Sequence, residues 1–282
     1  MPSVLITGTS SGFGLLSAVE MARRGWTVIA TMRNLDRRTA LDDAVRQAGV
    51  QTRVIVEQLD VTDAAGMAVR VAALLALTGG RLDGVVHNAG IAVAAAFEDL
   101  PETGMHRIMD TNFFGVLNLT RALLPTFRAN RAGRIVFVSS DSAFAGEPTN
   151  AVYCASKFAI EGFAESLAYE VGYFGISVVL VEPGPYRTEI WASSPRLHPA
   201  GSAYGPLLEQ LWPAVDAHLA KAMGNPQDVA LTIAKALEAK HPRFRYPVGG
   251  SSRMGLFLRG KVSSRRLRWV ASRYLGLHRV EL

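Results

Sequence analysis

A chain of 282 residues with 49% apolar side chains can build one α/β domain with decoration, and its composition excludes a disordered chain. Cys154 is the single cysteine, which excludes an intrachain disulfide and fits a reducing compartment. The net charge of +6 is uneven: residues 240–282 hold 11 Lys/Arg against one acid, Glu281, and residues 1–239 hold 19 against 23, so the overall sign is no argument for nucleic acid.

Val4-Leu5-Ile6 reads as a short buried strand, followed by a turn at Thr7-Gly8. Strand and turn so early leave no room for a signal peptide before the fold. A helical pattern runs over residues 12–24, and Gly25 sits where a C-cap glycine belongs. Residues 27–31 form a second strand, 35–48 a polar helix, and 53–58 a third strand ending at Leu59-Asp60-Val61. Residues 63–77 read as an Ala-rich packed helix; 84–87 as a fourth strand, ended by Asn88-Ala89-Gly90; and 105–130 as one long helix. A fifth strand at 134–139, a second long helix at 152–174 and a sixth strand at 177–182 follow. Residues 185–224 break the rhythm, with Pro185, Pro195, Pro199, Pro206 and Pro213 among aromatics, and read as a long functional loop. Asn225-Pro226-Gln227-Asp228 opens a new helix, with Asn225 as its cap, and 244–248 could be a seventh strand.

Strands alternating with helices imply right-handed crossovers and a parallel sheet covered on both faces: a Rossmann-type doubly wound α/β fold of about seven strands. The expected organisation is one catalytic domain over residues 1–250, including a substrate lid at 185–224, with a basic C-terminal extension at 251–282. The longest apolar runs, such as 71–77, fall far short of the ~20 residues a membrane span requires, so a cytoplasmic protein is expected.

Tyr153 and Lys157 lie four residues apart, which stacks a phenol and an ammonium on one helix face. A phenol of pKa ~10 is a poor acid or base at neutral pH, and an adjacent cation lowers it. Upstream, Thr7-Gly8-Thr9-Ser10-Ser11-Gly12-Phe13-Gly14 follows the first strand and opens the first helix, the context of a dinucleotide fingerprint. Gly8, Gly12 and Gly14 let backbone approach pyrophosphate, and the helix N-terminus supplies oriented N–H donors.

The spacing Gly-x-x-x-Gly-x-Gly, with Tyr-x-x-x-Lys and Asn88-Ala89-Gly90, resembles the short-chain dehydrogenase/reductase family over about residues 3–250. Tyr153-Cys154-Ala155-Ser156-Lys157-Phe158-Ala159 and Ala30-Thr31-Met32-Arg33 resemble its 17β-hydroxysteroid and retinol dehydrogenase-like members most. The resemblance implies a cofactor site of Gly8, Ser10, Ser11, Gly12, Phe13 and Gly14, with Asp60 and Val61 at adenine. Asn88, Ala89 and Gly90 would hold the fourth strand beside the cofactor, and Pro183, Gly184 and Thr188 would meet the carboxamide. It implies Tyr153 as acid/base, Lys157 as the group that lowers its pKa and bonds the nicotinamide ribose, and Ser140 on the substrate oxygen. Asn112 matches the residue that anchors a water relay to Lys157. Among the clustered Ser139, Ser140 and Ser142, the spacing of thirteen before Tyr153 selects Ser140.

At the end of the second strand stand Met32 and Arg33, with no carboxylate to bond ribose hydroxyls. An arginine there can hold a 2′-phosphate, so NADP(H) is expected over NAD(H), with Ser11, Arg37 or Arg38 adding contacts. The expected activity is interconversion of a hydrophobic secondary alcohol and its ketone, or of an alcohol and aldehyde; the alternative is a non-catalytic NADP-binding regulator or sensor. Cys154, about 100° round the helix from Tyr153, reads as packing. The six histidines show no metal-ligand spacing, so no metal is expected.

Ligands in this fold bind beyond the C-terminal strand ends. Trp191, Leu197, Tyr204, Leu207, Leu208, Leu211 and Trp212 of the lid, with Phe97, Phe144 and Pro148, predict an apolar pocket for a steroid-, retinoid- or polyketide-like molecule, or a long-chain carbonyl. In the basic tail, Leu267, Val270, Ala271, Tyr274 and Leu275 recur at helical spacing among Arg265, Arg266, Arg268 and Arg273. Such a face can lie on an anionic membrane or pack on its own domain, and the second is expected. By analogy with relatives, a homodimer or homotetramer would form through the two long helices.

Overall fold

Seven strands pair in parallel in the order β3-β2-β1-β4-β5-β6-β7. They are β1 (Ser3–Thr7), β2 (Thr27–Met32), β3 (Val54–Gln58), β4 (Gly84–His87), β5 (Gly133–Val138), β6 (Ile176–Pro183) and β7 (Arg245–Val248). The structure is a computed structural model, describing residues 1–186, 188, 190, 194–259, 261–263, 265, 266, 269, 272 and 273.

Alternate residues of each strand feed two cores. Val4 and Ile6 join the core under α1 (Gly12–Arg23), α2 (Thr39–Gln47) and α8 (Gln227–Glu238). Leu5 joins the core under α3 (Met67–Ala76), α5 (Gly115–Asn130) and α6 (Ala151–Gly172). Burial on both faces explains why Ile135-Val136-Phe137 is apolar throughout rather than alternating. The chain leaves β1 towards β2 on one side and returns as β4 on the other, and a crevice opens at the C-terminal ends of these strands.

Local chemistry decides where elements end. Gly25 takes φ +87° after α1; its N–H bonds Ala22 O (3.1 Å), and Trp26 N–H bonds Met21 O (3.1 Å), closing the helix in a Schellman motif. The polar helix expected at 35–48 begins as a 3₁₀ turn, Leu35–Arg37, before α2. The helix expected from residue 63 starts only at Met67. Asp60 Oδ1 takes the N–H of Thr62 (2.9 Å) and Asp63 Oδ1 that of Gly66 (2.9 Å), and these side-chain bonds hold turns in place of helix. The helix expected at 105–130 is three pieces: α4 (Glu102–Met109), a π-helical turn (Asp110–Phe114) and α5.

Residues 185–224 are not irregular throughout, because α7 (Gly205–Ala222) lies within them. Pro206 stands in its first turn, where a missing N–H costs nothing, and Leu208 and Leu211 are buried. Asn225 Oδ1 accepts the N–H of Gln227 (3.0 Å) at the start of α8. A further helix, α9 (Gly250–Leu258), had no cue in its glycine- and serine-rich opening; Ser252 Oγ donates to Glu182 O (2.6 Å) and ties it to β6. Among the described residues no helix is long and apolar enough to cross a membrane.

His87 ends β4 at 4% exposure, with Nε2 3.0 Å from Thr120 Oγ1 and its ring stacked on Phe137 at 5.0 Å. Burial pushes its pKa down to about 3 from 6.5. The folded protein keeps the ring neutral, whereas the unfolded chain protonates it below its ordinary value, so stability is lost as pH falls from about 6.5 towards 3. Unfolding free energy is expected to drop by about 2 kcal/mol between about pH 7 and pH 5 from this group, at 1.36 kcal/mol per pH unit below 6.5. Urea unfolding at the two pH values checks it: His87→Gln should flatten the decline, and an unchanged slope would assign the decline to other groups.

Candidate active site

The ends of β1 and β4 are stitched together. Thr7 Oγ1 accepts the N–H groups of Asn88 and Ala89 (both 3.0 Å), and Asn88 Nδ2 donates to Thr7 O (2.9 Å) and Gly8 O (3.1 Å). Gly8 has φ +71°, and a Cβ there would stand 2.8 Å from Ala89 Cα; one on Gly14 would stand 2.2 Å from Gly8 O. No side chain can fill this turn. Ser11, extended at φ −164°, precedes α1 without a side-chain capping bond, so nothing of its own side chain occupies the first-turn N–H groups.

A cleft of about 400 Å³ runs across these strand ends. Gly8, Ser10, Ser11, Gly12 and Phe13 line it at the glycine turn, and Asn88, Ala89 and Gly90 at the end of β4. Gly14 packs behind the turn. Pro183, Gly184 and Thr188 line the wall after β6. Asp60 and Val61 line the end near β3, where Asp60 Oδ1 also takes the Thr62 hydroxyl (2.7 Å). Arg33 and Arg37 line the same end, and Gln58 Nε2 holds the Arg33 carbonyl (3.0 Å). Arg38 turns elsewhere, bonded twice to Asp42 (2.7 and 3.1 Å).

At the other end α6 presents Tyr153 and, one turn later, Lys157, both 6% exposed. Lys157 Nζ donates to Val138 O (3.0 Å) and lies 5.7 Å from the centre of the Tyr153 ring. Ser140, just after β5, hydrogen-bonds the Tyr153 hydroxyl. Ser139, Ser140, Tyr153 and Lys157 all line the cleft. Asn112 lies behind them at 1% exposure. Its amide takes the N–H of Ile91 and gives one to Ile91 O (both 2.9 Å), and bonds Ser156 Oγ (3.1 Å). The π turn widens the helix by one residue where Asn112 must point inward. A Cβ on Gly90 would stand 3.5 Å from Asn112 Oδ1 and 3.9 Å from Lys157 Nζ, so the two side chains face the same gap.

Burial dominates the electrostatics. It raises the Tyr153 pKa above the ordinary phenol value; the Ser140 bond opposes it, and the charges of Glu147 and Asp141 add to it. Burial lowers the Lys157 ammonium to about 8, against the pull of the Glu161 carboxylate. Both groups are stripped of water, and Nζ is committed to Val138 O. Cys154 is buried, its Sγ accepting Glu147 N–H (3.4 Å), and burial pushes its thiol up to about 12. Among the described residues no three His, Cys, Asp or Glu side chains form a metal-binding group.

The expected aromatic pocket differs most. Phe97 is 63% exposed on a 3₁₀ turn. Phe144 is buried against Gly255 of α9, and Leu208 is fully buried. Trp212 meets His198 edge-on (5.9 Å) and lies under Arg196 (5.6 Å). None of the four lines the cleft, and Trp191 and the tail positions 267, 268, 270, 271, 274 and 275 lie outside the described residues. Ile91, Ala92, Tyr186, Ile190 and Pro195 line it instead. Ile91 and Ala92 adjoin Asn88-Ala89-Gly90, the one cue that could have found them. Backbone bonds Ala94 N to Pro195 O (3.0 Å) and Leu197 N to Ala94 O (2.8 Å) tie the segment after β6 to the loop after β4. Ser202 on Asp99 (2.6 Å) and Tyr204 on Glu98 (3.0 Å) add to the tie.

Residues 2–197 match the family described as short chain dehydrogenase. Retinol dehydrogenase 8 of Bos taurus is 39% identical over 256 residues, covering 86% of this chain and 80% of that protein. The 17-beta-hydroxysteroid dehydrogenase type 1 of Homo sapiens is 35% identical over 262 residues, covering 86% and 76%. The crystal structure of a short-chain dehydrogenase from Streptomyces avermitilis superimposes with a TM-score of 0.79 at 32% identity, covering 98% of this chain and 97% of that one.

Proposed function

We propose, from the premise that the chain belongs to the short-chain dehydrogenase family, that it is an NADP(H)-dependent oxidoreductase interconverting a hydrophobic alcohol and its carbonyl compound. The observation that carries the reading is the convergence of Ser140, Tyr153 and Lys157 at one end of a cleft whose other end holds Arg33 and Arg37.

The residues present fit the dinucleotide. Gly8 and Gly14 leave no room for side chains where pyrophosphate must approach, and the first turn of α1 offers its N–H groups. Gly8, Ser10, Ser11, Gly12 and Phe13 would hold the pyrophosphate, Asp60 and Val61 the adenine, and Arg33 and Arg37 the 2′-phosphate. Asn88, Ala89 and Gly90 form the floor, Tyr153 and Lys157 meet the nicotinamide ribose, and Pro183, Gly184 and Thr188 meet the carboxamide. NADPH supplies the hydride when bound.

The protein's own part is proton transfer and orientation. The Tyr153 hydroxyl gives its proton to the carbonyl oxygen, Ser140 bonds and aims that oxygen, and the Lys157 charge stabilises the phenolate left behind. Asn112 holds the π turn to Ile91, which keeps that wall of the cleft in place. Ile91, Ala92, Ile190 and Pro195 present apolar surface beyond Tyr153, which suits a steroid- or retinoid-like substrate. Residues 185–224 serve as the lid, and the bond of α9 to β6 supports the view that the C-terminal extension begins packed on its own domain. The protein is proposed to work in the cytoplasm, and exposed Phe158 and Tyr169 on α6, with Tyr173 just after it, support its association as a homo-oligomer through that helix.

A panel of steroid, retinoid and other hydrophobic ketones and alcohols, followed by nicotinamide absorbance with NADP(H), tests the reading. Turnover of at least one pair is expected. A protein that binds NADPH and turns over none of them is a regulator or sensor, and the enzymatic reading fails.

A further inference from the structure

Behind the cleft, a row of hydroxyls leads away from Tyr153. Ser140 bonds the Tyr153 hydroxyl, Ser140 Oγ lies 3.0 Å from Ser142 Oγ, and Ser142 Oγ lies 2.8 Å from Glu147 Oε1. The N–H of Ser142 also donates to Ser140 Oγ (3.1 Å) and fixes it in the row. Tyr153, Ser140 and Ser142 are buried, whereas Glu147 is half-buried. The loop carrying Glu147 is held from two sides: Glu147 N–H bonds Cys154 Sγ, and the carbonyl of Thr149, a non-glycine residue at φ +63°, takes Ala95 N–H (2.9 Å). We propose that Glu147, acting through Ser142 and Ser140, is the outer end of a proton relay that restores the Tyr153 hydroxyl; the inference rests on the oxidoreductase reading above.

A catalytic phenol that has given up its proton is a buried anion, and a hydrophobic substrate seated over it would keep water from the cleft side. Each hydroxyl in the row can donate and accept, so a proton can enter from behind. In carbonyl reduction the Tyr153 oxygen takes the proton of Ser140, Ser140 takes that of Ser142, and Ser142 takes that of the Glu147 carboxyl. The Glu147 carboxylate then takes one proton from water, so one solvent proton replaces the one delivered to the carbonyl oxygen. Alcohol oxidation runs the row in reverse.

The titratable groups facing Glu147 among the described residues support a carboxyl that changes charge near neutrality. Asp141, from the turn after β5, is half-buried and accepts a bond from Ser251 Oγ of α9 (2.7 Å); Tyr153 and Cys154 face Glu147 from α6. Burial, with the Asp141 charge, lifts Glu147 to about 7. A carboxyl raised towards neutrality can give and take a proton there, as a relay terminus requires.

The pH dependence of kcat for carbonyl reduction tests the relay in the wild type, Glu147→Gln, Ser142→Ala and Ser142→Thr, with NADPH affinity as the control for folding. The wild-type rate is expected to fall as pH rises through about 7, the value burial sets for Glu147. In Glu147→Gln that limb should vanish and kcat should drop by about tenfold or more at low pH, with KM unchanged. Ser142→Ala should show the same loss, and Ser142→Thr, which keeps the hydroxyl, should recover it. A Glu147→Gln profile that superimposes on the wild type, or a threonine variant no better than alanine, overturns the relay and leaves the oxidoreductase reading standing. A wild type that binds NADPH but reduces nothing on the panel overturns that reading and the relay together.

Discussion

Tyr153→Phe is expected to lose ~10²–10⁴-fold in kcat, the range that a positioned acid or base contributes, while NADPH affinity stays within about twofold. The substitution removes one oxygen and keeps the ring. The Lys157 ammonium retains its contact with Val138 O and its place 5.7 Å from the ring centre, and the glycine turn is untouched. Ser140 loses one partner but keeps Ser142, so the buried polar row stays satisfied at a cost of about 1 kcal/mol. What disappears is the only hydroxyl bonded to Ser140 from α6, and with it the proton for the carbonyl oxygen. Steady-state turnover on a substrate of the panel, beside a fluorescence titration with NADPH, separates the two effects. Retention of a tenth or more of wild-type kcat would remove Tyr153 from the role of acid.

Arg33→Asp is expected to reverse the cofactor order, changing the ratio of kcat/KM for NADPH and NADH by ~10²-fold or more. Charge-assisted bonds to a phosphate are worth about 1.5–3 kcal/mol, and each 1.4 kcal/mol is a factor of ten. The carboxylate adds repulsion of the 2′-phosphate and a new acceptor for ribose hydroxyls. Gln58 holds the backbone of residue 33 through its carbonyl, so the new side chain should start from the same Cα position. Arg37 lines the same end of the cleft, so Arg33→Asp with Arg37→Ala should extend the swing; Arg38, paired with Asp42, should contribute nothing. Kinetics with both cofactors at a fixed substrate level give the ratio, and equal kcat/KM for the two in the wild type would reject the role of Arg33.

Much of this site was legible because its residues are tied to local sequence. The turn at Gly8–Gly14 needs glycine for steric reasons that operate within a few residues of chain, and Tyr153 and Lys157 are brought together by the pitch of one helix. The parallel sheet covered on both faces was also legible, since apolar runs alternating with helical periods admit few topologies. The π turn within the 105–130 segment was not, because a π turn differs from an α turn by one residue and leaves the apolar period almost intact. Helix α7 was hidden by its prolines: Pro206 stands in its first turn, where proline is tolerated, and Pro213 stands inside the helix, where proline ordinarily marks a break.

By itself, the amino-acid order determined the sheet, the glycine turn, the Tyr153–Lys157 pair and the arginine at the end of β2, because each rests on periodicity or on contacts between near neighbours. Only the tertiary structure decided which apolar residues face the cleft, that burial raises the Tyr153 phenol, and that Glu147 meets Ser142 behind it. Those outcomes depend on water being excluded by segments far apart in the chain, and no local pattern encodes how much solvent a side chain loses.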